Sequence, residues 1–226
     1  VYKRQLLVFD DANLDKAVTG AMMSKFRNAG QTCVCANRIF VQDGIYDAFA
    51  KRLAEATDAL QVGNGMTDGV EQGPIIDDQG LTKIKQHVED AVGKGATLLT
   101  GGKPHALGGT FFEPTVLTEM TSDMQLFREE TFGPVAALFK FSDEDDVIAM
   151  ANDSEFGLAA YLFTENASRL FRVSEALEFG IVAVNTGIFS SEVGPFGGLK
   201  NSGLGREGSK YGIDEFLEVK FVCVGM

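Results

Sequence analysis

Short apolar runs of the kind that form buried strands alternate along this chain with longer segments of helical periodicity. The strand-like runs lie at residues 6–9, 38–42, 96–100, 135–141, 158–164 and 180–185. Helical spacing of apolar residues marks the segments 12–26, 45–60, 81–91, 147–151 and 170–177. Because parallel strands need a crossover connection, usually a helix, this alternation predicts an α/β fold with a largely parallel sheet and helices on both faces. A chain of 226 residues, 45% of them hydrophobic, can bury the core of such a domain.

Cap and turn residues add three further predictions about the fold. The expected N-caps of the helices are Asp10-Asp11, Asp43, and either Ser142 or Asp143. The run 111–117 is predicted to be a strand despite Pro114, which places it at a sheet edge or at a bulge. The run 216–224 is predicted to be a last strand, and because no helix follows it, this strand can leave the domain to pair elsewhere.

The acidic composition argues against several classes of partner. The formal net charge is −12 and no Lys/Arg-rich run interrupts it, so neither nucleic acid nor an anionic membrane is expected to bind. The longest apolar runs are far shorter than the roughly 20 residues of a membrane span. Three cysteines do not make a disulfide scaffold, which favours a reducing, cytoplasmic compartment. His87 and His105 lack partners at metal-ligand spacing, so we expect both at the surface and no metal site.

A polar, glycine-containing turn at residues 28–35 places a cysteine just ahead of the strand-like run 38–42. A thiol acts as a nucleophile when it is ionised and its approach is open, and Arg27 adds a fixed positive charge to this turn. These features favour a reactive Cys33 over a merely buried one. Cys35 is either a resolving thiol, which forms a reversible disulfide with Cys33, or a packing residue.

Two other motifs admit more than one interpretation. Residues 203–208 match the dinucleotide fingerprint G-x-G-x-x-G, but that fingerprint must follow a strand and open a helix within a βαβ unit. An irregular segment precedes this match and only residues 209–226 follow it, so its glycines are predicted to serve the backbone conformation. The acidic pair Glu129-Glu130 is either a solvated turn or the source of a carboxylate that binds a hydroxylated ligand such as ribose.

Three long motifs follow one another along the chain at residues 26–33, 130–134 and 195–203. They are similar, in that order, to the cysteine signature, the E-x-F-G-P element and the P-F-G-G-x-K-x-S-G element of the NAD(P)-dependent aldehyde dehydrogenases. The match in order and spacing extends from Leu6 to the C-terminus. The chain therefore resembles this family over nearly its whole length.

Within that family, the substrate class is indicated by features around the cysteine and near the end of the chain. Arg27, the Cys33-Val34-Cys35 pair and the segment 203–212 resemble the members that oxidise succinic semialdehyde. Glutarate-semialdehyde and other ω-semialdehyde dehydrogenases share much of this pattern. The resemblance therefore implies the reaction more firmly than the substrate.

The resemblance also implies a mechanism. Cys33 would attack the aldehyde carbon, and its backbone N–H would help to stabilise the oxyanion. Arg27 would bind the distal carboxylate of a semialdehyde, and Ser191 or Ser190 would complete that contact. Hydride would pass to NADP or NAD, leaving a thioester that water hydrolyses. The remaining implied roles are binding of the nicotinamide ribose by Glu130, packing near the cofactor by Phe132 and lining of the aldehyde pocket by Phe196.

The resemblance further implies a division of the chain. Residues 1–5 do not match the family pattern, 6–205 correspond to the catalytic domain, and 206–226 to an oligomerisation segment whose strand would extend the sheet of a neighbouring subunit in a dimer or tetramer. The cofactor-binding domain, the general-base glutamate and the oxyanion asparagine would precede this chain. We therefore expect the 226 residues alone to be inactive and the longer parent to be the enzyme.

Three alternatives stay open at this point. The first is a CoA-acylating member of the same superfamily, and the second is a cysteine acyltransferase that uses a coenzyme A thioester. The third is a non-enzymatic redox module in which Cys33 and Cys35 form a switch.

Overall fold

The computed structural model describes residues 4–226, in which helices and strands alternate as predicted. The strands are β1 (Gln5–Val8), β2 (Arg38–Gln42), β3 (Thr97–Thr100), β4 (Thr115–Thr118), β5 (Val135–Phe141), β6 (Phe156–Gly157), β7 (Ala159–Phe163), β8 (Ile181–Val184) and β9 (Leu199–Lys200). The helices are α1 (Leu14–Lys25), α2 (Tyr46–Asp58), α3 (Asp78–Gly93), α4 (Gln125–Arg128), α5 (Glu144–Asn152) and α6 (Ala167–Ala176). Short 3-10 segments span Arg27–Gly30 and Gly212–Phe216.

Seven strands form one sheet in the order β3-β4-β5-β2-β1-β7-β8. Every neighbouring pair in this sheet is parallel except β3 and β4. The short strands β6 and β9 pair separately as an antiparallel ribbon. The predicted α/β class with a largely parallel sheet is confirmed.

Side chains of the central strands alternate between two cores, one on each face of the sheet. Leu6 and Val8 of β1 pack in the same core as the apolar stripes of α1 and α2. Leu7, between them, packs with α3, α5 and α6 on the opposite face. Because both faces of the strands are buried, their sequences are continuous apolar runs and not alternating ones.

The structure corrects two strand predictions. The strand predicted at 111–117 is the shorter β4, which lies between β3 and β5 and is not an edge strand. Pro114 immediately precedes β4, where its missing N–H interrupts no ladder, and the irregularity lies instead between Leu98 and Thr100 in the β3–β4 register. The run 180–185, predicted to be a buried strand, forms the half-buried edge strand β8.

The predicted last strand is absent from residues 4–226 taken as a single chain. Gly212–Phe216 is a 3-10 segment, and the described residues after it have no regular structure. Their apolar side chains are exposed, as Val219 and Phe221 show. A strand needs a neighbour for its backbone groups, and the segment has none among residues 4–226, so its pairing with another subunit stays a prediction.

Helix caps follow the sequence only in part. Asp143 caps α5 as predicted, accepting hydrogen bonds from two backbone N–H groups. The cap of α1 is Asn13 and not Asp10-Asp11, because the Asp11 carboxylate instead accepts from the Thr164 hydroxyl. Asp43 does not cap α2, since its carboxylate bonds to the Ser142 hydroxyl. Asp11 and Asp43 thus bind side chains distant in sequence and do not cap the helices for which they were predicted.

The first strand begins one residue earlier than the predicted run 6–9. Residues 1–5 were expected not to match the family pattern, and of these, 1–3 lie outside the described part of the chain. Arg4 and Gln5 are fully buried, and Gln5 already pairs with β2 and β7 as the first residue of β1.

Among the helices of residues 4–226, none combines the length and apolar character that crossing a membrane requires.

Candidate active site

The turn that carries Cys33 lies at the amino end of β2 and begins where α1 ends. Three consecutive residues are left-handed there, with φ values of 52° at Asn28, 54° at Ala29 and 72° at Gly30. A residue with a Cβ is disfavoured in this region by about 1–2 kcal/mol, so the surrounding contacts must hold the turn in place. The turn leaves Cys33 exposed and buries Cys35, and both thiols are free.

The polar side chains around Cys33 hold this turn in place. The Gln31 side chain accepts from the Ile76 backbone N–H at 2.9 Å and donates to a carbonyl of the same segment. The Asn37 side chain accepts from the Thr131 backbone N–H at 3.1 Å, which joins the turn to the loop before β5. In the sequence, the polar residues of this turn favoured a reactive Cys33. The structure shows that two of them also fix the turn against neighbouring segments.

A cavity of about 140 Å³ opens beside the Cys33 thiol. It brings together four residues that the sequence proposed separately, namely Arg27, Cys33, Ser190 and Phe196. Ser191 is not among the described residues that line it, and the Ser191 hydroxyl instead accepts from the backbone N–H of Val193. Of the two candidate serines, the geometry therefore favours Ser190.

Two lining residues were not predicted from the sequence. Tyr161 of β7 donates its hydroxyl to the Val34 carbonyl at 2.9 Å and so holds the residue that follows Cys33. Burial raises the pKa of Tyr161 well above its ordinary value, so the phenol stays neutral and remains a donor. Phe189 packs against the Tyr161 ring with centroids 5.6 Å apart. A tyrosine in a buried strand needs an acceptor for its hydroxyl, and that need was the available sequence signal.

A glycine pair brings the segment after β8 against α1. A Cβ atom added to Gly187 would lie 2.2 Å from the carbonyl oxygen of Gly20, so the two backbones are in direct contact. This contact carries Ser190 to the end of α1, where Arg27 begins the turn. Sequence reasoning missed the pair because a lone glycine in a helix predicts only weaker helix formation.

Arg27 presents a positive charge to the cavity. Its side chain is exposed, and within the part of the chain that the structure describes no carboxylate forms an ion pair with it. A guanidinium can bind a carboxylate through two parallel hydrogen bonds. The cavity therefore offers a nucleophile at one wall and an anion-binding group at another.

The loop before β5 lies next to the Cys33 turn, and Arg4 joins the two. Arg4 forms an ion pair with Glu130, and it also donates to the carbonyls of Cys35 at 2.9 Å and Thr32 at 3.2 Å. Glu130 is buried, whereas Phe132 is 38% exposed on a left-handed residue with a φ of 51°.

These two residues fit the roles implied for a nicotinamide nucleotide. An ionised carboxylate has about four lone-pair sites, so Glu130 can accept from a ribose hydroxyl as well as from the Arg4 guanidinium. The exposed Phe132 ring offers an apolar face beside it. Among residues 4–226, no cluster of three or more His, Cys, Asp or Glu side chains is arranged to hold a metal ion.

Lys25, the last residue of α1, is a buried cation that sequence reasoning missed. Burial lowers its pKa to about 8, the nearby Cys35 and Glu130 favour its charged form, and Arg4 opposes it. Sequence reasoning missed it because lysine is almost never fully buried, so its residue type gives no sign of burial.

The expectation that both histidines lie at the surface is wrong for His87. This residue is 1% exposed, and its ring contacts Thr131 Oγ1 at 3.1 Å and a Glu129 carboxylate oxygen at 3.3 Å. The helical stripe of α3 explains its burial, since position 87 lies on the same face as Ile84 and Ala91. His105 is half-buried in a connecting loop.

The buried imidazole predicts a loss of stability in acid. Burial lowers the pKa of His87 below its ordinary value of 6.5, although the hydrogen bond to Glu129 acts in the opposite direction. As the pH falls below 6.5, the unfolded chain takes up this proton before the folded chain does, so the free energy of unfolding decreases. We expect urea unfolding followed by circular dichroism to show less of this decrease for His87→Asn than for His105→Gln. Equal pH dependence in the two variants would contradict this explanation.

A larger cavity of about 820 Å³ shares Cys33 and Phe196 with the first, and Gly205 and Gly208 of the glycine motif line it. Gly203, Gly205 and Gly208 have φ values of 111°, 80° and 66°. Side chains are strongly disfavoured in that region, and the motif opens no helix. The prediction that these glycines serve the backbone conformation is confirmed.

Comparison with known proteins identifies the family of this chain. Residues 3–222 match the sequence model of the aldehyde dehydrogenase family. The chain is 60% identical over 220 residues to succinate-semialdehyde dehydrogenase [NADP(+)] of Escherichia coli, covering 97% of this chain and 46% of that protein. It is 58% identical over 219 residues to a glutarate-semialdehyde dehydrogenase of Pseudomonas aeruginosa, covering 97% of this chain and 45% of that protein.

A solved structure shows the same fold. The crystal structure of succinate-semialdehyde dehydrogenase from Burkholderia pseudomallei superposes with a TM-score of 0.98 at 55% identity, covering 100% of this chain and 47% of that one. The chain thus spans about half the length of the relatives it matches. With a family match over nearly all of its residues and the fold of a solved succinate-semialdehyde dehydrogenase, this chain belongs to the aldehyde dehydrogenase family.

Proposed function

We propose that this chain forms the aldehyde-binding part of an enzyme that oxidises succinic semialdehyde, or a related ω-semialdehyde, to the carboxylic acid with NADP or NAD. The proposal rests on the cavity of about 140 Å³ beside Cys33. Its lining includes the exposed Cys33 and Arg27, whose guanidinium pairs with no carboxylate among the described residues. A short aldehyde with a distal carboxylate can contact both groups at once. The relatives named for succinate and glutarate semialdehydes act on aldehydes of this kind, which supports the assignment.

The chemistry follows from these positions. The Cys33 thiolate adds to the aldehyde carbon to give a thiohemiacetal, and the backbone N–H of Cys33 can donate to the developing oxyanion. When bound, the nicotinamide nucleotide supplies the hydride acceptor for this adduct. The thioester left on Cys33 reacts with water, which releases the acid and regenerates the thiol. Arg27 and Ser190 would hold the far end of the substrate throughout, and Phe196 would close the pocket.

Two residues of this chain would bind the nicotinamide nucleotide. Glu130 would accept from the ribose hydroxyls, and Phe132 would pack against the cofactor. We propose that a further segment supplies the nucleotide-binding domain, the general base and the oxyanion asparagine, and we use "full-length protein" for the polypeptide that contains it. On its own, the 226-residue chain is expected to form no NAD(P)H from succinic semialdehyde.

Replacing Arg27 tests the substrate class. In the full-length protein, Arg27→Gln should raise KM for succinic semialdehyde roughly 10- to 100-fold, because hydrogen bonds to charged groups contribute about 1.5–3 kcal/mol. KM for butyraldehyde, which has the same length but no carboxylate, should change less than about twofold. Steady-state kinetics with both aldehydes measures the split. Equal losses for the two aldehydes would remove Arg27 from the substrate site, and Arg52→Gln on the surface serves as the control.

A CoA-acylating reaction is the nearest alternative, and product analysis with and without coenzyme A distinguishes the two. A pure redox switch is a weaker alternative because Cys35 is buried, with its sulfur 2.8 Å from Thr32 Oγ1. A disulfide with Cys33 would require the buried Cys35 sulfur to give up this contact. We also propose that residues 206–226 join subunits of a homo-oligomer, which is supported by the exposed apolar side chains of this segment.

A further inference from the structure

The loop before β5, residues 129–134, is held by one buried side chain of α3. His87 Nε2 lies 3.3 Å from a Glu129 carboxylate oxygen, and Nδ1 lies 3.1 Å from Thr131 Oγ1. The imidazole therefore bridges the two residues that flank Glu130. We propose that His87 is a positioning residue. By holding the residues on either side of Glu130, it fixes the direction in which the Glu130 side chain points, so that its carboxylate is placed to accept from the nicotinamide ribose.

A second contact holds the backbone of the same loop. The Asn37 side chain, just before β2, accepts from the Thr131 N–H at 3.1 Å and donates to the Glu129 carbonyl at 3.3 Å. Asn37 thus anchors the backbone of the loop and His87 anchors its side chains. Because the backbone anchor does not involve His87, removal of the imidazole should loosen the loop without unfolding the chain.

The neutral imidazole matches both of its partners. An ionised Glu129 can only accept, so Nε2 carries the proton, and Nδ1 accepts from the Thr131 hydroxyl; this tautomer follows from the hydrogen-bond pattern. The charged groups that face His87 are Glu129 from the loop and Lys83 and Asp90 from α3. A second proton on the ring would turn Nδ1 into a donor and force the Thr131 hydroxyl to rotate away.

The consequence for the cofactor rests on the proposed function, in which Glu130 accepts from the ribose. Glu130 is buried and its carboxylate contacts Arg4, so a small change in the direction of residue 130 changes where its oxygens lie. The turn that carries Cys33 is joined to the loop by Arg4 and by Asn37, and His87 takes no part in these contacts. Loss of His87 should therefore weaken nucleotide binding and leave the thiol accessible as before.

Hydrogen–deuterium exchange and calorimetry on the full-length protein test the proposal. His87→Leu removes both contacts, His87→Gln keeps a donor for Glu129, and His105→Gln is the matched control. We expect exchange of residues 129–134 to increase about tenfold in His87→Leu and less in His87→Gln, with β1 unchanged. We expect the dissociation constant of NADPH to rise about tenfold in His87→Leu, which corresponds to about 1.4 kcal/mol, while alkylation of Cys33 stays within about twofold.

The two readouts separate the two claims. Unchanged exchange of residues 129–134 in His87→Leu would overturn the positioning role. Increased exchange with unchanged NADPH binding would keep the loop contact but overturn both the cofactor part of the proposal and the ribose role of Glu130. If His87→Leu does not fold, the same comparison is made with His87→Gln. The imidazole NMR signal of His87 in the full-length protein is identified as the one that His87→Gln removes and His105→Gln keeps. After correction for the intrinsic rate of amide exchange, which itself falls with pH, exchange of the loop in the unsubstituted protein should then increase as His87 takes up a proton. A loop unaffected by that titration would contradict the proposal.

Discussion

Cys33→Ala is expected to abolish aldehyde oxidation by the full-length protein, with a loss in kcat of roughly 10⁴-fold or more. The substitution removes the atom that forms the covalent adduct, and no other described thiol lines the cavity beside Arg27. Cys33 is exposed in its turn, so the change should leave the free energy of unfolding nearly unaffected. Formation of NAD(P)H from succinic semialdehyde, followed by absorbance, measures the loss.

Two other cysteines provide controls for this result. Cys223 is exposed in the C-terminal segment, and Cys223→Ala should retain full turnover. Cys35→Ser should also retain most turnover, since on this account its sulfur packs within the turn and does not react. Persistence of aldehyde oxidation in Cys33→Ala, or its loss in Cys223→Ala, would place the chemistry elsewhere.

Gly30→Ala is expected to destabilise the chain by more than about 3 kcal/mol. The φ of Gly30 is 72°, where an alanine costs about 1 kcal/mol, and the added Cβ would lie 2.1 Å from the carbonyl oxygen of Gly133. Overlap with a backbone atom forces either the Cys33 turn or the loop that carries Glu130 to move. Because the chain contains no tryptophan, urea unfolding followed by far-UV circular dichroism is the suitable measurement.

Gly93→Ala is the matched comparison. Gly93 ends α3 without a positive φ, and a Cβ there would meet no atom within 4 Å. An alanine at that position should be neutral or should stabilise the chain by up to about 1 kcal/mol. A wild-type unfolding midpoint for Gly30→Ala would show that the two loops do not meet as described.

The sheet could be predicted from the sequence because burial on both faces leaves a direct signal. A strand such as β5, covered by helices on both sides, is apolar at nearly every position, and the intervening helices repeat with their own period. The last strand could not be established in this way, since residues 216–224 carry the composition of a strand but have no neighbouring strand in the described part of the chain. Composition predicts that a segment can pair, and only the partner decides whether it does.

Residue type alone gave wrong predictions for His87, Asp11 and Asp43. His87 was expected at the surface because histidines without metal partners usually lie there, yet its place on the buried stripe of α3 was visible in the helical spacing. Asp11 and Asp43 have the chemistry of caps, but tertiary hydrogen bonds use their carboxylates. Local propensity could not reveal contacts with residues distant in sequence.

The candidate site was predicted in its parts but not in its assembly. The motifs supplied Cys33, Arg27 and Phe196, which the structure brings to one cavity. The choice between Ser190 and Ser191 needed coordinates, because an irregular segment has no period that tells which side chain points inward. The Gly20–Gly187 contact and the Arg4–Glu130 ion pair join segments far apart in sequence. No local sequence pattern predicts contacts of this kind.

Competitive alkylation of the 226-residue chain itself tests the central claim, that Cys33 and Arg27 share one anion-accepting cavity. Mass spectrometry compares the rates at which iodoacetate and iodoacetamide modify each cysteine, with the exposed Cys223 as the internal reference. We predict that Cys33 prefers the anionic reagent relative to Cys223, that Arg27→Gln removes this preference, and that Cys35 stays unmodified. An unmodified Cys33, or a preference that is the same with and without Arg27, would contradict the account.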